Sequence, residues 1–126
     1  MKIMQHNTDF LSLVEEYRPQ VKEVDIHAVK VKLDTEEKFH LVDVREDHEW
    51  QQGYIPTAIH LARGVIERDI EKVINDKSAP IILYCGGGFR SVLSAYNLQK
   101  MGYSNIYSMD GGIRDWMMSG YKLVAA

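Results

Sequence analysis

Short apolar runs alternate along the chain with segments in which apolar side chains recur at helical spacing. Five runs have the length of a short strand and lie at 22–24, 39–44, 58–61, 80–84 and 105–109. Helical segments are predicted at about 8–18, 26–33, 66–74, 90–101 and 110–119. Strands that alternate with helices favour a parallel sheet with helices on both faces. The pattern therefore predicts an α/β fold of three layers, with a mostly parallel sheet of about five strands.

The amphipathic pattern is clearest between residues 66 and 74. Ile66, Ile70, Val73 and Ile74 fall at i, i+4, i+7 and i+8, and charged side chains occupy the positions between them. This spacing is typical of a helix that buries one apolar stripe against a core. We expect this stripe to pack on the sheet.

A helix is also predicted before the first strand, at about residues 8–18. Asn7 or Thr8 can cap its start, and Pro19 ends it. One face of this helix carries Phe10, Val14 and Tyr17. We interpret it as an extension that packs on a single domain formed by residues 1–126 and that can help to shape a partner surface.

Composition narrows the function classes. The chain has 126 residues and a net charge of −3, which suits one globular domain and gives no reason to expect a nucleic-acid partner. The start lacks the long apolar core of a signal peptide, and no run is long enough to span a membrane. A single cysteine excludes an internal disulfide and suits a reducing compartment. We therefore expect a cytoplasmic protein without a membrane partner.

The central apolar run, 80–84, ends at that cysteine, Cys85. The loop that follows consists of Gly86, Gly87, Gly88, Phe89, Arg90 and Ser91, after which the chain becomes helical. This order places the thiol at the carboxyl end of a strand, where open α/β sheets bind ligands. Backbone N–H groups of a glycine loop and a helix N-terminus can stabilise an anion. They would favour the thiolate, which is the nucleophilic form of cysteine. A buried structural thiol is the alternative interpretation.

Four stretches give the chain a clear resemblance to the rhodanese-like sulfurtransferase family. They are Val42-Asp43-Val44-Arg45 with Glu49, Gly53-Tyr54-Ile55-Pro56-Thr57-Ala58-Ile59, Cys85-Gly86-Gly87-Gly88-Phe89-Arg90-Ser91, and Gly111-Gly112-Ile113-Arg114-Asp115-Trp116. The resemblance covers roughly residues 22–121 and implies a single-domain, rhodanese-like fold. The segment before residue 22 lies outside it.

The resemblance implies a sulfurtransferase that carries a sulfane sulfur as a persulfide on Cys85. Thiosulfate or another small anionic donor would supply the sulfur, and cyanide or a thiol would accept it. A relay between protein donors and acceptors is an alternative, as is a binding or regulatory domain without turnover. No organic cofactor is implied. The five histidines show no ligand spacing, so no metal site is expected either.

A phosphatase or arsenate reductase is the rival enzyme class, because cell-cycle dual-specificity phosphatases resemble this family in fold and in loop. Cys85 through Arg90 is a loop of six residues. The phosphatase loop has one more, so the shorter loop favours sulfur transfer.

Other candidate residues surround the loop. Arg90 is expected to brace the loop or to meet an anionic donor, with a solvent-facing charge as the alternative. Ser91 is interpreted as a hydrogen-bonding residue at the helix start. Asp43 and Arg45 follow a neighbouring strand, as a structural ion pair or as substrate contacts. Arg63 is a candidate contact for the donor anion, with a solvated arginine as the alternative.

One departure from the family pattern concerns the donor. Members specialised for thiosulfate often carry basic residues directly after the cysteine, where this chain has Gly86 and Gly87. We therefore expect a low affinity for thiosulfate, and better turnover with thiol acceptors or with a persulfidated protein donor.

Overall fold

The computed structural model describes residues 6–125. Its strands are β1 (Lys22–Val24), β2 (His40–Asp43), β3 (Ile59–His60), β4 (Ile81–Tyr84) and β5 (Ile106–Met109). Its helices are α1 (Thr8–Tyr17), α2 (Ile26–Asp34), α3 (Asp47–Trp50), α4 (Ile66–Val73), α5 (Arg90–Lys100) and α6 (Gly112–Met118). A turn of 3-10 helix, Arg18–Gln20, follows α1.

The strands form one five-stranded sheet in the order β1-β5-β4-β2-β3. Every strand pair is parallel. β4 lies in the middle, and all four of its residues are buried. The predicted α/β fold with a mostly parallel sheet of about five strands is confirmed.

The side chains of β4 alternate between two hydrophobic clusters, as the two-residue period of a strand requires. Ile81 and Leu83 pack on one side with residues of α4 and α5, including Ile70. Ile82 and Tyr84 pack on the other side with residues of α2 and α6. Helices therefore cover both faces of the sheet, which gives the predicted three layers.

The stripe predicted between residues 66 and 74 is right at three of its four positions. Ile66, Ile70 and Ile74 are buried, but Val73 is 54% exposed. The buried stripe is centred on Ile70, and α4 ends at Val73, which lies at the edge of that stripe. Ile74, the first residue after α4, leaves the helical conformation and is buried in the core instead.

The helix predicted at about 8–18 is observed as α1. The Asn7 side chain caps it by accepting a hydrogen bond from the Phe10 N–H at 2.9 Å. Val14 is fully buried against Val92 and Leu93 of α5. The extension is thus attached to the helix that follows the cysteine loop. Within residues 6–125, no helix combines the length and the apolar character needed to cross a membrane.

Candidate active site

Cys85 directly follows β4, and α5 begins five residues later at Arg90. The thiol is 1% exposed. Its Sγ accepts a hydrogen bond from the Gly88 N–H at 3.2 Å and lies 3.5 Å from the Ser91 Oγ. The sulfur therefore lies at the carboxyl end of the central strand, where it accepts a hydrogen bond from a backbone N–H group of the loop.

The glycines of this region allow two loops to approach each other. Gly88 has a φ of +91°, a left-handed conformation that suits glycine. Gly112, with a φ of +61°, begins α6, and a Cβ there would lie 2.6 Å from the Cys85 carbonyl oxygen. This approach lets the Ile113 and Arg114 N–H groups donate to the Cys85 and Gly86 carbonyls at 2.9 and 3.0 Å. The start of α6 thereby packs against the cysteine loop and holds its backbone in place.

Arg90 forms a two-pronged ion pair with Glu49 of α3. The two guanidinium nitrogens donate to the two carboxylate oxygens at 2.7 and 3.0 Å. This hydrogen bond raises the pKa of Arg90, and the same bond lowers the pKa of Glu49. Arg90 thus does not point away into solvent; its guanidinium lies beside Gly86 and links the loop to α3.

Arg114 is a residue of the site that the sequence analysis did not single out. A Cβ at Gly87 would collide with its guanidinium, and a Cβ at Gly86 would lie 3.0 Å from a guanidinium nitrogen of Arg90. The glycines therefore leave room for two cationic side chains, Arg90 from the end of the loop and Arg114 from α6. The signal in the sequence was the position of Arg114 two residues after a Gly-Gly pair that follows the last strand.

Asp43 and Arg45 form a buried ion pair. Asp43 is 0% exposed, and the Arg45 Nη2 donates to its Oδ2 at 2.8 Å. Arg45 also donates to the Gly53 carbonyl oxygen at 2.7 Å, which joins two loops. Burial alone would lower the pKa of Arg45, but the hydrogen bonds and charge of Asp43 raise it. This geometry corresponds to the structural alternative given for the pair.

Ser91 lies in the first turn of α5, and its hydroxyl forms its contacts with residues outside this helix. Its hydroxyl is buried between the Cys85 Sγ, at 3.5 Å, and the Ser108 Oγ of β5, at 2.8 Å. No cap hydrogen bond from a side chain is present at the start of α5. The packing of α5 against β5 directs this side chain toward the Cys85 sulfur and Ser108. Residues next to Ser91 in the sequence do not predict these contacts, because Ser108 is distant in the chain.

Cys85 lies in the lining of a cleft of about 910 Å³. All four arginines considered above, Arg45, Arg63, Arg90 and Arg114, line this cleft. So do His6, Asn7 and Phe10, which lie before α1 or in its first turn. Arg63 is exposed, and its backbone N–H donates to the Val44 carbonyl at 3.0 Å. The structure thus brings Arg63 to the same end of the sheet as the thiol.

Three side chains in the lining of the cleft have the spacing of metal ligands. Among residues 6–125, ligand atoms of Glu46, His48 and Glu49 lie within 4.8 Å of one another. Glu49 is already paired with Arg90 and with the Glu46 backbone N–H. Only two ligands then remain, whereas protein zinc sites use three or four. We assign no metal to this group.

A family model for the rhodanese-like domain matches residues 25–119. The chain belongs to the rhodanese-like domain family. YtwF of Bacillus subtilis (strain 168), a sulfurtransferase candidate, is 33% identical over 97 residues, which cover 77% of this chain and 91% of that protein. The sulfurtransferase of Allochromatium vinosum is 31% identical over 105 residues, covering 83% of this chain and 96% of that protein. These relatives support sulfur transfer in general.

Two further comparisons set limits on this rhodanese assignment. A sulfur-carrier candidate of Bacillus subtilis (strain 168), YrkF, is 29% identical over 96 residues; they cover 76% of this chain but only 51%, about half, of that protein. A solved structure from Rhodopseudomonas palustris, of a protein of unknown function described as a possible tyrosine phosphatase, has a TM-score of 0.78. It is 22% identical and covers 98% of this chain and all of that one, which supports the fold alone.

The rhodanese match starts at residue 25, after α1. Most of the cleft lining lies inside the match, but His6, Asn7 and Phe10 precede it. The N-terminal segment therefore lies outside the family match and contributes three residues to the wall of the cleft.

Proposed function

We propose that this chain carries a sulfane sulfur as a persulfide on Cys85, which it takes from thiosulfate or another sulfur donor and passes to cyanide or a thiol. The observation that carries the proposal is the setting of the sulfur. Its Sγ accepts the Gly88 N–H at 3.2 Å, and it lies in a cleft lined by four arginines. Family membership supports the same chemistry in general terms.

The first half of the reaction needs a thiolate and an anionic donor. The Cys85 thiolate attacks the sulfane sulfur of thiosulfate, the new S–S bond forms, and sulfite departs with the electron pair of the bond that breaks. Preorganised N–H donors such as Gly88 stabilise the charge that develops on sulfur. Guanidinium groups of Arg90 and Arg114, above Gly86 and Gly87, can orient the anion at the loop.

The second half returns the enzyme to its starting state. Cyanide or a thiolate attacks the outer sulfur of the persulfide, and Cys85 leaves as a thiolate. No electron is gained or lost overall, so the cycle needs no redox cofactor. We also propose that residues 1–126 act as one rhodanese-like domain and that the protein works in the cytoplasm, where a reduced thiol is maintained.

The donor is proposed to bind weakly when it is thiosulfate. The loop positions after the cysteine are uncharged glycines, and Arg90 is neutralised by Glu49 at 2.7 Å. The charge of Arg114 compensates only in part. We therefore expect a thiosulfate KM well above the low-micromolar range, and better turnover with thiol acceptors or a persulfidated protein donor.

Parallel assays on one preparation test the function. Thiosulfate-dependent thiocyanate formation is measured beside p-nitrophenyl phosphate hydrolysis, for wild type, Cys85→Ser and Arg90→Ala. Arg68→Ala, which changes an exposed arginine of α4, is the matched control for loss of charge. We expect sulfur transfer that disappears in Cys85→Ser, falls in Arg90→Ala and persists in the control. Phosphate release that depends on Cys85, without sulfur transfer, would favour the phosphatase alternative.

A further inference from the structure

The cleft around Cys85 is large for its inorganic substrates. Its volume of about 910 Å³ lies near the upper end of the range of roughly 300–1,000 Å³ that is common for pockets holding organic ligands. Thiosulfate and cyanide would occupy only a small part of it. The remaining lining must therefore face either solvent or a larger acceptor.

One part of this lining is an aromatic cluster formed largely by the N-terminal segment. The His6 ring centroid lies 4.8 Å from that of Phe89, in the cysteine loop, and 5.0 Å from that of Phe10. α1 is fixed in place because Val14 is fully buried against α5. This aromatic cluster of His6, Phe10 and Phe89 is thus a built wall, two of whose three rings precede the family match.

Another part of the lining carries positive charge that the protein does not neutralise. Arg45 and Arg90 are paired with Asp43 and Glu49. Arg63 and Arg114, in contrast, form no salt bridge with any residue between 6 and 125. An anionic group on a bound molecule would provide the missing partner.

We propose that this combination selects an organic thiol bearing a carboxylate as the sulfur acceptor. The aromatic cluster would contact the carbon skeleton of the thiol, and Arg114, assisted by Arg63, would bind its carboxylate. The inference rests on the proposed function, since it names the acceptor class for the persulfide on Cys85.

The transfer step is balanced without any further reactant. The acceptor thiol first gives its proton to solvent. Its thiolate then attacks the outer sulfur of the Cys85 persulfide, a bond forms between these two sulfurs, and the bond from that outer sulfur to Sγ breaks. The products are the persulfide of the acceptor and the Cys85 thiolate, with no change in total charge.

A single-turnover discharge tests the selection. The full chain is loaded with sulfur from thiosulfate or polysulfide, freed of donor, and mixed with N-acetylcysteine or its neutral amide at several concentrations. Intact mass follows the loss of sulfur and gives a maximal rate and a half-saturating concentration. The variants are Arg114→Gln, Arg63→Gln and Phe10→Ala. Their controls are Arg68→Gln, for charge, and Leu13→Ala, a 43% exposed residue of the same helix as Phe10.

Wild type is expected to favour the carboxylate over the amide, and Arg114→Gln to reduce this preference by about two- to ten-fold through the half-saturating concentration. Arg63→Gln should reduce it less, and Arg68→Gln not at all. Phe10→Ala should raise the half-saturating concentration for both thiols by about three-fold or more, with loading and maximal rate retained. Leu13→Ala should behave as wild type.

The outcomes separate two failures. Normal loading, with the same preference for the carboxylate in wild type and Arg114→Gln, would overturn the assignment of the acceptor class alone. Equal discharge kinetics in Phe10→Ala and Leu13→Ala would overturn the role of the N-terminal segment. Absence of loading with every donor would overturn the proposed function, and the acceptor class with it.

Discussion

Gly112 is the position where the packing of the site can be tested most sharply. With alanine there, the new Cβ would lie 2.5 Å from the Gly86 carbonyl oxygen and 2.6 Å from that of Cys85. Both neighbours are backbone atoms, so neither can move aside cheaply. α6 would have to retreat from the cysteine loop, which weakens the two hydrogen bonds that its start donates to these carbonyls.

The magnitude follows from two contributions. A left-handed conformation costs an alanine about 1–2 kcal/mol relative to glycine. Loss of two backbone hydrogen bonds adds about 1 kcal/mol each. Gly112→Ala should therefore lower the free energy of unfolding by about 3–4 kcal/mol.

Gly120 provides a matched control. Its φ of +77° is similar to that of Gly112, but a Cβ there would have no atom within 4 Å. Gly120→Ala should lower the free energy of unfolding only by the conformational cost of about 1–2 kcal/mol.

Urea unfolding followed by the fluorescence of the buried Trp116 compares the two variants. A difference of about 2 kcal/mol corresponds to a difference of about 1 M between their urea midpoints. Gly112→Ala should also load sulfur more slowly than Gly120→Ala in buffer, because its loop has lost support. Equal midpoints for the two variants would refute the close approach between α6 and the loop.

Three further substitutions test other parts of the structure. Since the Arg90 hydrogen bond holds the pKa of Glu49 below its ordinary value of 4.5, the pair stabilises the fold above about pH 4.5 and loses this effect as the pH falls through the lower folded value. The free energy of unfolding of Glu49→Gln, measured in urea, should therefore lie below that of wild type by about 0.5–1 kcal/mol at pH 7 and approach it below pH 4; a gap that does not depend on pH would contradict this. Asp43→Asn should destabilise by about 3 kcal/mol in thermal or urea unfolding, because Arg45 is left buried without its counter-charge, and a wild-type midpoint would contradict it. Ser94→Ala should leave stability unchanged or slightly higher, since the buried Ser94 hydroxyl has no hydrogen-bond partner among the described residues; a loss above about 1 kcal/mol would reveal a partner.

Local sequence patterns were sufficient to predict the order of strands and helices and the parallel sheet. The apolar run before Cys85, the glycines after it and the alternation of strands with helices predicted the parallel sheet and the position of the thiol at its carboxyl edge. These features depend on side-chain periodicity and on backbone freedom, which neighbouring residues in the sequence determine.

Contacts between residues that are far apart in the sequence could not be predicted from local patterns. Glu49 and Arg90 are 41 residues apart, and their ion pair depends on α3 reaching the loop. Arg114 lies over Gly87 only because α6 approaches Cys85 closely. The position of His6 and Phe10 beside Phe89 likewise depends on how α1 docks on α5, which amphipathic spacing alone does not specify.

The mass of the intact protein after exposure to a sulfur donor tests the central claim most directly. Wild type and Cys85→Ser are incubated with thiosulfate and, separately, with polysulfide, and are then desalted and weighed. We expect wild type alone to gain one sulfur, about 32 Da, and to lose it again on addition of cyanide or a reductant. An equal gain in Cys85→Ser, or no gain in wild type with either donor, would contradict a persulfide carried on Cys85.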